Sequence, residues 1–515
     1  MAQRGSAGLG ARSISAFVWG GGGAFLRLFL QVATQVVLAR VLGPEQYGLF
    51  AMGVLVMSFS AFFSDIGLAY GLIQRKQLDA THVRFVFTWQ LVLGLAVAAL
   101  LAALSGVLAD FFRDPRMAPL MLALAPLAFL QAASAVSLNL LKRELDFKSL
   151  QIAQTIAYFV GYVCLGIPLA LAGAQVWALV VAWAMQCLLS LALMYRAARH
   201  PLRPLLWHAD ARNMGHFGGT VLLTNLTNWM IGNIDRAVVA RALPSASMGL
   251  YANAYNLVNT PSNTILGFMQ PVMYSACAKV QDDPHRIRRA YLMLMAGISL
   301  AIMPVFFAMA AVADTLVLAL YGERWAGASA VLGPIALAMP LALLWGITTP
   351  VLWNSGRATL EFKLQIPLAM LWLAGALLAV QHSLAALAWT VLGFFLLRAL
   401  LFNWVAARVI GVGLADCARA LRGGLALSAL TAGAAWLADA LLSAWQVQAW
   451  ARLPGVMVLC ALAVLMALRW LPGLLAASLG ELLERGLARL PAPALGPARW
   501  VLAAQLGPRL DRADS

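Results

Sequence analysis

The sequence predicts an all-α polytopic membrane protein of about fourteen transmembrane helices, built as two parallel-repeat six-helix lobes plus a C-terminal helix pair. Three observations predict it. Apolar residues make up 62% of 515 and charged residues 11%, where a soluble domain carries about 25% charge. Apolar windows of about the 20 residues that a bilayer demands recur along the chain. Basic residues also alternate in density from loop to loop.

In order, the apolar windows are 14–39, 47–64, 85–109, 118–141, 150–171, 174–195, 215–234, 249–275, 290–311, 328–353, 362–380, 384–407, 423–442 and 453–470. The first is about twice a signal-peptide core in length and reads as an uncleaved span. Pro126, Pro168, Pro304 and Pro340 fall inside windows, which spanning helices tolerate because neighbours re-satisfy the freed backbone groups. With the N-terminus placed inside, 27 of the 36 Lys and Arg lie in inside segments and 7 in outside ones. That bias favours an even count with both termini cytoplasmic. It also explains the net charge of +16 without nucleic acid.

A repeat supports the lobes. Ala39-Arg-Val-Leu-Gly-Pro-Glu-Gln-Tyr-Gly-Leu-Phe-Ala51 lies on Ala240-Arg-Ala-Leu-Pro-Ser-Ala-Ser-Met-Gly-Leu-Tyr-Ala252 with six of thirteen positions identical. Leu145-Asp-Phe-Lys148 echoes Leu360-Glu-Phe-Lys363. Each pair is six helices apart, the mark of a parallel repeat about the membrane normal. The expected domains are an N-lobe over 1–195, a cytoplasmic linker 196–214, a C-lobe over 215–410, spans thirteen and fourteen over 411–470, and a tail 471–515. Leu475, Leu479, Leu483, Leu487 and Leu490 give that tail an amphipathic, surface-lying helix before a Pro- and Ala-rich end.

Much chemistry is missing. No Gly-Lys pair occurs, so no Walker A loop exists to hydrolyse ATP. The six histidines show no HxxxH or HExxH spacing, and no metal or other cofactor is expected. Asp282-Asp283, before Pro284, reads as a turn and helix start. The five cysteines lack a CxxC and read as small buried hydrophobes.

What remains is polarity inside apolar helices. Arg27, Gln31 and Gln35 recur one turn apart on one face of span one. Span seven holds Asn225, Asn228 and Asn233, and span eight Asn253, Asn256, Asn259 and Asn263. Arg398 lies in span twelve. Buried polar groups in a membrane are costly and face a wet interior. The Asn rows fit interhelical hydrogen bonding equally well, and Arg398 fits snorkelling toward the inner surface. Arg27 is too deep to snorkel. Arg27, Gln31, Gln35, Asn225, Asn228, Asn256 and Arg398 are therefore the candidate substrate-binding residues.

Residues 39–50, Phe63-Ser-Asp-Ile-Gly-Leu68, Leu72-Ile-Gln-Arg-Lys76, Leu141–Lys148, Gly249–Tyr255 and Gln281-Asp-Asp283 resemble those of Wzx-type flippases, of the multidrug/oligosaccharidyl-lipid/polysaccharide exporter superfamily. The resemblance covers about residues 10–410 and departs at Leu243-Pro-Ser, where Leu-Gly is commoner. It implies two lobes that alternate between inward- and outward-open states in the bacterial inner membrane. It also implies an undecaprenyl-pyrophosphate-linked oligosaccharide as substrate, membrane lipids around it, and a polysaccharide polymerase and chain-length machinery as expected partners. No enzyme activity is implied. A multidrug cation exporter would favour acidic residues deep in the spans, where the sequence places Arg27 and Arg398 and no central Asp or Glu. A polymerase or glycosyltransferase needs a large loop or domain, and the longest outside loop, 312–327, has about 16 residues.

Overall fold

The first helix, α1 (Ala7–Asp65), breaks at Gly43, whose backbone (φ 75°, ψ 172°) lies outside helical space. Glycine takes that conformation without a Cβ clash. Pro44 behind it has its φ already set for the first turn of a new helix. The structure, a computed structural model, describes residues 7–65, 72, 78–208, 211–279, 284–471 and 474. The expected amphipathic helix over 475–490 and the Asp282-Asp283 turn lie outside the described residues.

After α1 come α2 (Ala80–Ala103), α3 (Ser105–Phe112), α4 (Met117–Arg143) and α5 (Phe147–Tyr158). A π-helical stretch, Phe159–Gly166, joins α5 to α6 (Ile167–Leu171), and α7 (Val176–Ala197), α8 (Ala211–Ala242) and α9 (Ser245–Lys279) follow. A second π-helical stretch, Ile298–Ile302, joins α10 (Pro284–Gly297) to α11 (Met303–Ala311). Then come α12 (Ala313–Tyr321), α13 (Ser329–Gly346), α14 (Thr348–Asn354), α15 (Ala358–Ala379), α16 (Leu384–Ile410), α17 (Leu414–Ala444) and α18 (Ala449–Trp470). Each π-helical stretch includes the carbonyl four residues before a proline, Pro168 or Pro304. Proline leaves that carbonyl without its donor and crowds it, and the wider i→i+5 turn accommodates the mismatch.

Eleven elements among the described residues are long and apolar enough to cross a membrane, one of them Leu26–Ser64 with the Gly43 break inside it. This is a multi-pass membrane protein. The asparagines of α8 and α9 dilute their apolarity, and those two helices are not among the eleven. Helices also outrun the apolar windows that predict them: α17 starts at Leu414, ahead of a window opening at 423. Its first turns carry Asp416, Arg419 and Arg422, polar residues that no apolar window captures. Six exposed tryptophans lie near helix ends (Trp177, Trp353, Trp389, Trp445, Trp450, Trp470), where an indole suits the membrane–water boundary.

The chain divides into two compact units, Met1–Ala252 and Asn253–Ser515, the division falling within α9. In the first, α4 lies against α1, α2, α3 and α7, burying Leu120, Met121, Leu124 and Val136 almost completely. The segment after α7 is strapped along α2: Arg84 donates to the carbonyls of Arg203 and Pro204, Trp89 to that of Leu206, and Thr88 accepts from the Leu205 amide. In the second unit, α13 packs on α16, and α17 and α18 dock on α11 and α12. Asp439 of α17 accepts from Thr315 at 2.9 Å and pairs with Arg452 at 3.6 Å, fastening that pair. Cys187 and Cys417 are buried as expected of small hydrophobes, but Cys164 is exposed. Its helix face carries apolar residues outward, as a span in lipid does.

Candidate functional site

Arg27 does not stand alone. Its Nη1 donates to Gln154 Oε1 on α5, and Tyr158, one turn further along α5, lies within electrostatic reach of the guanidinium. Tyr158 is itself hydrogen-bonded to Thr34 of α1, and Gly23 rests against the Gln151 side chain. Positions 23, 27 and 34 share one face of α1, and 151, 154 and 158 one face of α5. The result is a polar seam between two apolar helices. Gln31 and Gln35, on the same helix as Arg27, are half-buried. Gln154 and Tyr158 were legible as polar residues within span five, yet sequence reasoning singled out neither.

The asparagines separate. The side chain of Asn225 lies outside the described residues, and Asn228 is exposed on α8. Asn233 bonds within its own helix, donating to the Trp229 carbonyl at 2.9 Å and accepting from Arg236 at 2.9 Å. Trp229 in turn donates to Ser58 Oγ at 3.2 Å and lies 5.1 Å from the Phe59 ring. Asp235, buried, accepts from Tyr251 Oη at 2.5 Å.

Asn256 and Arg398 belong to the second unit, where Asn256 is half-buried. Arg398 is only 6% exposed, its guanidinium 3.5 Å from the centre of the Trp345 ring and 5.9 Å from that of Phe394. Snorkelling is therefore the wrong description. A cation over an indole face is held by the ring quadrupole, and Glu361, near enough to act electrostatically, balances it. Glu361 accepts from Thr349 at 2.9 Å, Trp353 at 2.7 Å and Gln365 at 3.2 Å. Glu361, in the first turn of α15, and Asp235, just past the window 215–234, are buried acidic residues, and neither is central to a span. Both sit at window edges, where a reading by apolar runs assigns charges to loops.

At the Gly43 end of α1, its second half crosses the start of α9. A Cβ on Gly48 would overlap the Ser245 carbonyl, and one on Gly249 the Pro44 carbonyl. Beside this crossing, Arg116 pairs with Glu45 at 2.6 Å and Asp114 at 2.8 Å and reaches Ser245 Oγ at 3.2 Å. The hydrogen bond from Arg116 holds the Asp114 carboxyl below its usual range, against the opposing effect of partial burial.

Residues 37–330 match the family described as "Polysaccharide biosynthesis protein". The chain belongs to the polysaccharide biosynthesis protein family. The match spans Gly48, Arg116 and Gly249 and ends before Arg398. Among relatives, the lipopolysaccharide biosynthesis protein WzxC of Escherichia coli (strain K12) is 24% identical over 398 residues, 75% of this chain and 78% of that one. The succinoglycan biosynthesis transport protein ExoT of Rhizobium meliloti (strain 1021) is 25% identical over 333 residues, 65% of this chain and 67% of its own. Among solved structures, the lipid II flippase MurJ in an inward closed conformation aligns with a TM-score of 0.70 at 12% identity, over 92% of this chain and 100% of MurJ. At that identity the likeness shows that this family member has the MurJ fold.

Proposed function

We propose that the chain is a flippase that carries an undecaprenyl-pyrophosphate-linked oligosaccharide from the inner to the outer leaflet of the bacterial cytoplasmic membrane, for exopolysaccharide, capsule or O-antigen synthesis. It is a transporter, not an enzyme, and works by alternating access of two lobes. Both termini are cytoplasmic, α8 and α9 complete fourteen spans, and the polymerase and chain-length machinery receive the product. Relatives named for lipopolysaccharide and succinoglycan biosynthesis support the substrate class.

The observation that carries the reading is Arg27. Its described partner is a neutral amide, so the guanidinium keeps its charge to offer. A diphosphate brings about two negative charges, which an arginine fork meets bidentately. Gln31, Gln35, Asn228 and Asn256 supply partners for sugar hydroxyls, with Asn225 on the same helix as Asn228. The rival, cation export, calls for a carboxylate free to meet cargo, whereas Glu361 is occupied by three donors. Arg27→Ala should abolish export of lipid-linked oligosaccharide at a normal membrane level of the protein, and Arg27→Lys should restore part of it. Full export by Arg27→Ala would overturn the assignment.

A further inference from the structure

Three arginines crowd the end of the first unit where α1 crosses α9. Arg113 and Arg116 lie in the turn between α3 and α4, and Arg241 ends α8. With Glu45, Asp114 and Ser245 they line a cleft of about 390 Å³. Arg113 is exposed, and Arg241 is poised 5.4 Å from the Phe111 ring centre. Three guanidinium groups face two carboxylates there, so one formal positive charge is left over.

Arg116 is the centre of the cleft. Glu45 is the second residue after the Gly43 break, and Ser245 is the first of α9. By holding both, Arg116 ties the first turns of two helices one turn from where Gly48 and Gly249 touch. The tie is exposed to water: the side chains of Arg116 and Glu45 are 44% and 57% accessible. Exposed ion pairs are weak and exchange readily. A diphosphate offers two adjoining phosphates to an arginine fork and adds contacts to Arg113 and Arg241, which a single carboxylate does not.

We propose that this cleft is a diphosphate-binding subsite, and that a diphosphate entering it draws Arg116 off Glu45 and frees the α1–α9 crossing. The inference rests on the flippase reading, in which the charge bias puts these arginines on the outer side. A diphosphate on that side would then loosen the crossing of α1 and α9.

The test uses the full chain in phosphatidylcholine nanodiscs, its five cysteines replaced and Ala246→Cys introduced on the cleft wall. Labelling of that thiol by a charged maleimide is timed with and without inorganic pyrophosphate, at matched ionic strength and without divalent cations. Pyrophosphate should speed labelling by about fivefold, the scale of one exposed ion pair, and orthophosphate should not. Glu45→Gln should label at the fast rate without any anion. Arg113→Ala with Arg241→Ala should keep the slow basal rate and lose most of the pyrophosphate response. Nanodiscs containing phosphatidylglycerol separate the sources of phosphate: if that lipid alone gives the fast rate and pyrophosphate adds nothing, the ligand is a headgroup and the proposal fails. It also fails if pyrophosphate leaves the rate unchanged, or if the double alanine variant responds fully. A pyrophosphate response in an otherwise unsubstituted chain that flips no lipid-linked oligosaccharide would overturn the flippase reading while leaving the cleft standing.

Discussion

Gly48 and Gly249 meet backbone to backbone, and each stands where the other does: Gly48 on the carbonyl of Ser245, Gly249 on the carbonyl of Pro44. In the thirteen-residue echo Gly48 aligns with Gly249 and Pro44 with Ser245. The contact is therefore reciprocal, as a local two-fold relation demands. Alanine at either position should lower stability by about 1–3 kcal/mol through overpacking. The double variant should lose less than the sum, because the first methyl already parts the helices. Thermal unfolding of the purified protein checks this; strict additivity would mean the two glycines do not share one contact.

Gly43→Ala should cost about 1–3 kcal/mol for a different reason. No atom lies within 4 Å of the added Cβ, so the whole penalty is backbone conformation at φ 75°. The same melts should show the loss to be additive with that of Gly48→Ala. A neutral Gly43→Ala would mean that α1 has straightened.

Arg398→Met takes the cation off the Trp345 face and away from the buried Glu361 carboxylate, and should destabilise the second unit by about 2 kcal/mol, the scale of a desolvated cation–π contact. Adding Glu361→Gln should recover part of that loss. Folded yield in the membrane and export are measured together. A double variant that folds but exports nothing assigns Arg398 to substrate, and one that exports assigns it to packing.

The strap along α2 carries a pH dependence. His200 is buried, its ring 4.7 Å from that of Phe87 and 5.3 Å from that of Tyr195. Burial holds the imidazole below its ordinary value of 6.5, against the weaker pull of the Pro201 carbonyl. The released strap then binds a proton that the docked one refuses. Docking is complete above pH ~6.5 and weakens as pH falls through and below it. Hydrogen-exchange protection over 200–206 should be steady from about pH 8 to 7 and decline toward about pH 5.5. In His200→Phe it should stay flat. A decline that survives the substitution would mean that His200 does not carry the effect.

Helices were legible because lipid demands long apolar runs, and every described helix of spanning length contains or closely follows a predicted window. The break in α1 was legible only as the gap between the windows 14–39 and 47–64, and the structure puts it at Gly43. Arg27 stood out by its cost within an apolar helix. Gln154 and Glu361 did not, because which polar residues meet is decided by the rotation of one helix against another. The second echo shows the limit well. Asp146 caps α5, accepting from the Ser149 amide at 3.1 Å, whereas the aligned Glu361 is buried within the first turn of α15. One pattern, two environments.

The π-helical stretch Phe159–Gly166 lets one rod face two ways. Its i→i+5 turns hold more than four residues each, so Tyr162 falls nearly in line with Tyr158 and their rings stack 4.7 Å apart at 16°. Before the stretch, the helix turns Gln151 and Gln154 toward α1. Within it, Gly161 and Gly166 come against Ala182 of α7. Drawn as one regular helix, the two commitments would drift apart by about 100° for each residue of mismatched register. The surplus residue lets a single rod keep a cation's partner on one side and a tight seam on the other.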